Sequence, residues 1–348
     1  MIRQRTEDGR VWRKPATIQD IARAVGVSTA TVSRALSHPD RVAEETRTAV
    51  LEAVRRSGYR VNRTARNLRR RRSGSILALV PNLANPFFSE ILSGLSTVLA
   101  GSGHGLLVAD TRIGPDPAAR LSDYLAGGMA DGVVILDGTL PDAIALERPR
   151  PPMVMACEWS PHTLPSVRVD NEGGAALAIR HLVERGHRAI GHLTGPEGNV
   201  LTASRLAGTQ RTLAEAGLSL PAEHLFPGDF GLESGARAAA RWLALRHRPT
   251  AVFCASDEMA CGFIGALQHA GIEVPGAVSV VGFDDIEVSA HLTPALTTIR
   301  QPRRRIGERA AQLLLGMIEA GSAEAPAELL PVELIERQSV APPATTPC

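Results

Sequence analysis

Apolar residues recur at helical spacing along Thr17–Leu36, TIQDIARAVGVSTATVSRAL, where Ile18, Ile21, Ala22 and Val25 fall on one face. Thr17 stands where a capping side chain would start that helix, and Gly26 supplies the bend that two steeply crossing helices require. Ser28 is placed to cap a second, short helix with Val32 and Leu36 turned inward. Thr29, Ala30, Thr31, Ser33 and Arg34 then face outward. A turn at His38-Pro39-Asp40 leads to a third helix over Glu44–Ser57, with Val50, Leu51 and Val54 inward and Gly58 at its end. Ala43, at its start, has no side chain that can cap. The pattern predicts a helix-turn-helix whose second helix carries small leading residues suited to a DNA major groove.

From Ser75 onward the pattern changes. Short all-apolar runs, Ile76–Pro81, Leu106–Ala109 and Gly132–Leu136, alternate with amphipathic stretches at Pro86–Ala100 and Asp116–Ala126. The alternation restarts after Val167, with helices at Gly173–Arg185, Ala203–Ala216, Glu233–Leu245 and Glu258–Ala270. Strands at Ala189–Leu193, Ala251–Cys254 and Ser279–Gly282 lie among them. Buried strands separated by helices predict parallel sheets covered on both faces, and two rounds predict two similar α/β lobes. Ligands of such lobes sit at the carboxyl ends of strands, hence in the cleft between them.

Charge changes this picture by locating a partner. The 348 residues carry a net charge of only +2. Yet residues 1 to 74 hold 18 Arg or Lys against 7 Asp or Glu, and the remainder holds 20 against 29. A basic head on an acidic body is the electrostatic footprint of nucleic-acid binding confined to one end. Cys157, Cys254, Cys261 and Cys348 lack CxxC spacing and nearby His pairs, so free thiols are expected rather than a disulfide framework or a zinc site. No apolar run has the length of a membrane span, and Met1–Lys14 is polar and Arg-rich without an export signal. A cytoplasmic protein acting at the nucleoid, with no membrane partner, is expected.

Several stretches together resemble the lactose-repressor family of bacterial transcription regulators. They are VSTATVSRAL at Val27–Leu36, NPFF at Asn85–Phe88, VDNEGG at Val169–Gly174, RLAG at Arg205–Gly208, ASDEMA at Ala255–Ala260, VVGFDD at Val280–Asp285 and PALTTIRQP at Pro294–Pro302. VSTATVSRALSHPDRV, PPMVMACEW, GDF and TAVFCASD direct the likeness to the subgroup of cytidine repressors. The resemblance implies an all-α helix-turn-helix domain over 15–61 and a hinge helix over 62–72. A two-lobed, periplasmic-binding-protein-like α/β domain with parallel sheets would follow over 75–340. Lobe 1 would comprise about 75–166 and 299–325, and lobe 2 about 167–298 and 326–340.

The family's homodimers place two recognition helices on a pseudo-palindromic double-stranded operator. By resemblance, Thr29, Ala30 and Arg34 match base-reading positions; Ser28 and Thr31, with the backbone amides at the helix N-terminus, are expected to hold phosphates and set register, and Thr17 is a further DNA-binding position. In the hinge, Asn62, Ala65, Leu68 and Arg69 match a segment that enters the minor groove, with Leu68 as the wedge between central base pairs. Arg69–Arg72 add nonspecific, salt-sensitive affinity. The tail after Ala341 is short and Pro-rich without heptad leucines, so a dimer is expected rather than a coiled-coil tetramer.

The body requires a small-molecule effector. Arg205 and Asp284 match the family's ligand-contacting arginine and the carboxylate facing it, with Ser256 a further cleft position. Phe88, Trp159 and Phe230 fall where relatives that respond to nucleobases carry stacking rings. Glu158 stands where sugar-responding relatives place an aspartate. These features imply a nucleoside such as cytidine, with a sugar or sugar phosphate as the alternative. An exported binding protein would lack the basic head. An enzyme would need a nucleophile, base and acid or a cofactor signature, and none emerges. Gly101–Gly105, GSGHG, runs from helix to strand, the reverse of a phosphate-binding loop.

Overall fold

The computed structural model describes residues 16–59, 73–111, 129–138, 151–159, 164–322 and 326–344. The hinge positions Asn62, Ala65, Leu68 and Arg69, and the helix expected over 116–126, lie outside the described residues. The chain divides into two compact units, Met1–Arg71 and Arg72–Cys348.

In the first unit α1 spans Ile18–Val25, α2 Thr29–Ser37 and α3 Glu44–Ser57. Thr17 and Asp20 form a capping box: the Asp20 amide donates to Thr17 Oγ1 at 3.3 Å, and the Thr17 amide donates to Asp20 Oδ2 at 2.9 Å. Gly26 closes α1 at φ 74°, a left-handed conformation that costs glycine nothing. Ser28 caps α2 by accepting the Thr31 amide at 3.1 Å. No side chain caps α3, and Glu44 and Glu45 in its first turn complement the helix dipole instead.

Ile21, Ala22, Val32, Ala35, Val50 and Ala53 form this unit's core. Two expectations shift. Leu36 is only half-buried and Leu51 is 40% exposed, while Ala35 and Ala53 are buried. Alanines sit where helices cross closely, and Leu51 lies about 100° around the helix from Val50.

Among its described residues the second unit holds two six-stranded sheets. β1 (Ser75–Val80), β2 (Gly105–Asp110), β3 (Gly132–Ile135), β4 (Met153–Ala156), β5 (Ser166–Val169) and β11 (Glu328–Leu330) run in the order β11-β5-β4-β3-β1-β2, all parallel. β6 (Ile190–Leu193), β7 (Leu225–Phe226), β8 (Ala251–Cys254), β9 (Ser279–Asp284), β10 (Thr297–Arg300) and β12 (Glu333–Ile335) repeat that order as β12-β10-β9-β8-β6-β7. In this second sheet only the β10–β12 pairing is antiparallel.

The α-helices among the described residues of this unit are α4 (Phe87–Ser102), α5 (Asn171–Glu184), α6 (Val200–Glu215), α7 (Leu232–Ala244), α8 (Asp257–His269) and α9 (Arg303–Ala320). α4 and α9 bury Ile91, Leu95, Ile306 and Leu314 against the first sheet. They cross so closely that a Cβ on Gly94 or Gly307 would strike the other helix's backbone.

The lobe boundaries differ from expectation. β5 runs past residue 167 within the first sheet, and Glu328–Leu330 joins that sheet as well. The segment 326–340 therefore divides between lobes instead of lying wholly in lobe 2. The chain passes from one sheet to the other three times: after Val169, after Arg300 and after Leu330. Strands of two to four residues are too short to show a periodicity, which is why β4, β5, β7, β10, β11 and β12 do not figure among the expected elements. Helix α9 is likewise absent from that reading.

Candidate nucleic-acid interface and effector site

In the first unit, α2 presents Thr29, Ala30, Ser33 and Arg34 to solvent beside Gln19 of α1 and Arg41, around an open groove of about 540 Å³. The Arg34 side chain has no ion pair or hydrogen bond among the described residues, so its fork of donors is available to a base edge. Ser28 and Thr31 join their hydroxyls at 2.9 Å, and Thr31 is half-buried, so this pair first of all stiffens the start of α2. Thr17 spends its hydroxyl on Asp20 at 2.7 Å. Gln19 and Arg41 escaped the sequence reading because they lie outside the second helix, and only the fold brings them to the same groove.

In the second unit the carboxyl ends of β4, β6, β8 and β9 surround Arg205, which α6 buries to 2% exposure. Its Nε donates to Asn171 Oδ1 at 2.9 Å and its Nη1 to the Ala255 carbonyl. Its guanidinium carbon lies 3.8 Å from the centroid of the Phe283 ring and 5.7 Å from that of Phe230. Stacking on a ring face holds the cation flat without neutralising it. Burial pulls the Arg205 pKa below its ordinary value, opposed chiefly by Asp284 and Glu158. Beneath it, His192 is neutral, its pKa brought to about 3 by burial and then by Arg205. Thr209 donates to the Arg205 carbonyl at 3.0 Å, which leaves its oxygen to accept from His192 Nδ1 at 2.8 Å and fixes that tautomer.

Asp284 is 6% exposed, and its Oδ1 accepts from Gln301 at 2.7 Å. Burial lifts its pKa to about 7 against the opposing pull of Arg205. The two are coupled electrostatically but make no ion pair within 4.0 Å. Asp257, fully buried, anchors the same corner by accepting from the Ile286 amide at 2.9 Å, Ser289 at 2.7 Å and Thr298 at 2.5 Å.

Backbone strain collects at this site. The described non-glycine residues with positive φ are Cys157 (72°), Phe230 (67°), Asp284 (125°) and Asp285 (54°). Cys157, Asp284 and Asp285 lie at strand ends, and Phe230 follows β7 closely. Such conformations cost about 1–3 kcal/mol each and persist where function keeps them.

The expected effector residues fare differently. Arg205, Asp284, Phe230 and Glu158 gather here. Glu158 accepts from the Gly138 amide at 2.6 Å and from Asn199 Nδ2, on the other lobe, at 3.1 Å. Ser256 caps α8 by accepting the Met259 amide at 3.2 Å and donates to the Phe230 carbonyl at 3.3 Å, so it positions Phe230. Phe88 packs edge-on against Phe87 in the first lobe's core. Trp159 is half-buried, with the Arg168 guanidinium 5.1 Å from its ring centroid. Asn171, Asn199 and Phe283 were not anticipated. Asn171 lay in the VDNEGG marker without a role, and the partners of the other two are distant in sequence.

Residues 17–62 match the family model described as bacterial regulatory proteins, lacI family, and residues 179–340 match the periplasmic binding protein-like domain. The chain is 39% identical to the HTH-type transcriptional repressor CytR of Escherichia coli (strain K12), covering 93% of this chain and 96% of that protein. The lac repressor dimer bound to operator and the anti-inducer ONPF superposes with a TM-score of 0.84 at 31% identity, covering 94% of this chain and all of that one. The transcriptional regulator CelR in complex with cellobiose gives 0.70 at 31% identity over 93% of this chain and all of that one. With its helix-turn-helix unit and its two-sheet effector-binding domain, the chain belongs to the lacI family of bacterial regulatory proteins and is a transcriptional repressor.

Proposed function

We propose that the protein binds a pseudo-palindromic operator as a homodimer and is controlled by a nucleoside such as cytidine bound between its lobes. In this reading Arg34 reads a guanine, Thr29 and Ala30 meet thymine methyls, and Ser28 and Thr31 set register on phosphates. Asn62, Ala65, Leu68 and Arg69 form the minor-groove hinge, with Leu68 the wedge. The observation that carries the effector site is the buried Arg205, stacked on Phe283 and coupled to Asp284 without pairing with it, at a corner of strained residues. A polar ring fits between a planar cation and an acceptor, and Phe230 offers a stacking surface. The likeness to cytidine repressors favours a nucleoside.

A sugar is the second reading, favoured by the cellobiose complex of CelR. Effector binding releases the operator to the extent that the ligand prefers a lobe arrangement incompatible with an ordered hinge.

A thermal-shift panel of nucleosides, nucleobases, sugars and sugar phosphates tests the assignment. A ligand at about a hundred times its dissociation constant stabilises the native state by about 2.7 kcal/mol. A rise with cytidine or adenosine alone supports the nucleoside, whereas a rise with sugars alone replaces it by the second reading.

A further inference from the structure

The described part of the second unit begins at Ser73, and its first two residues are tied down before any strand starts. The Ser73 amide donates to Asp131 Oδ1 at 2.6 Å and the Gly74 amide to Asp131 Oδ2 at 2.8 Å. Asp131 immediately precedes β3, and its own amide donates to the Ser75 carbonyl at 2.8 Å. From the other side, the Gly105 amide at the start of β2 donates to the Gly74 carbonyl at 2.9 Å. Gly74 sits at φ 67°, a left-handed conformation that glycine adopts without strain. The chain is thus held in place and in direction at the amino ends of three adjacent strands.

The Asp131 carboxylate is costly to keep there. Its side chain is 8% exposed, and among the described residues no arginine or lysine pairs with it; His104 Nε2 lies 3.8 Å away. A carboxylate taken out of water without a cation depends on the amides it accepts from. Both of its oxygens are spent on residues that precede β1, a strand already paired with β2 and β3.

We infer that Asp131 is a positioning residue for operator binding: its carboxylate fixes the root of the segment that joins the helix-turn-helix head to the body. The inference rests on the hinge reading of 62–72 and adds the residue that holds the far end of that segment. A segment that orders on DNA has less freedom to lose when one end is already fixed. The strands anchored here also run to the effector corner. β1 spans about 17 Å, at about 3.3 Å per residue. Just beyond β3, the Gly138 amide donates to Glu158. A movement of the first lobe therefore carries the root with it, and Asp131 passes that movement to the chain before Ser73.

The probe is the duplex that the unsubstituted protein selects from a randomised pool, with a shuffled duplex beside it. Asp131→Ala lowers affinity for the selected duplex about tenfold, equal to about 1.4 kcal/mol, and leaves the shuffled duplex unchanged. Asp131→Asn, which keeps one accepting oxygen, loses less. Two glycines inserted between Arg72 and Ser73 free the segment from its root and cost as much as Asp131→Ala. Adding Asp131→Ala to that insertion then costs nothing further, since both act through one tie. A lower urea midpoint with undiminished affinity overturns the inference, because the carboxylate would then be structural. Losses that add in the insertion background overturn it as well, because Asp131 would then act elsewhere. If Asp131→Ala does not fold, Asp131→Asn carries the same comparison. If the selected duplex has no dyad, the homodimer reading fails by itself, and the comparison on that duplex still decides whether Asp131 holds the root.

Discussion

The side-chain amide of Asn199, on the second lobe, donates to the carboxylate of Glu158, on the first, at 3.1 Å. The opposite end of that amide caps α6. One side chain thus starts the helix that carries Arg205 and ties it to the other lobe. Asn199→Asp separates the two roles. Aspartate keeps the cap but meets Glu158 with like charge. Urea unfolding should show a loss well under the roughly 1 kcal/mol expected when Asn199→Ala removes the cap. Small-angle scattering on the unliganded protein should show a larger radius of gyration for Asn199→Asp. An unchanged radius would mean that the bond does not hold the lobes together.

Asp284 predicts a pH dependence. Its pKa in the fold is raised to about 7, above the unfolded value of about 3.9. The folded state therefore holds this proton more tightly. The group's contribution to stability is full below about pH 4 and is lost as pH rises through about 7. An effector donating a hydrogen bond to the carboxylate selects its ionised form, so affinity should rise between about pH 6 and about pH 8. Asn at this position should flatten that profile, and a slope persisting in Asp284→Asn would assign it to another group.

Arg34 is exposed and unpaired among the described residues, so its removal disturbs little inside the protein. Arg34→Ala should reduce discrimination at one guanine of each half-site by about 1–3 kcal/mol, read by competition among duplexes altered at single positions. An equal loss on every duplex would make Arg34 a phosphate contact.

Asp257→Ala should be the costliest of these changes. It strands the Ile286 amide and the hydroxyls of Ser289 and Thr298 in a fully buried corner. At about 1–3 kcal/mol for each donor left without a partner, a loss above about 3 kcal/mol is expected in urea unfolding. A loss below about 1 kcal/mol would show that the corner relaxes around the gap.

The helix-turn-helix was legible because its signals are local. Thr17, Gly26 and Ser28 act within three or four residues of where they stand. The α/β alternation was legible for the same reason, but sheet membership was not. Glu328–Leu330 pairs with Val167–Val169 far back in the chain, and nothing in either tripeptide names the other. At the cleft, Arg205 and Asp284 were legible through family motifs. Phe283, Asn171 and Asn199 required the fold, since a ring beneath a guanidinium and an amide across a cleft leave no periodic trace. Ser256 shows the converse, a residue in a conspicuous motif whose hydroxyl is spent on a helix cap and a neighbouring carbonyl.

The three passages between the sheets also bear on how the chain is made. Each sheet takes one edge strand from the last twenty or so residues of the described chain, β11 for the first and β12 for the second. Helix α9, which seals the core of the first lobe, is synthesised after β6–β10 of the second. On the ribosome neither lobe can finish while the other waits. The helix-turn-helix unit, with its own core, can form as soon as it emerges. A nascent chain halted before Glu328 would thus carry a folded DNA-reading head on a body with two open sheet edges, a species prone to pair with its neighbours.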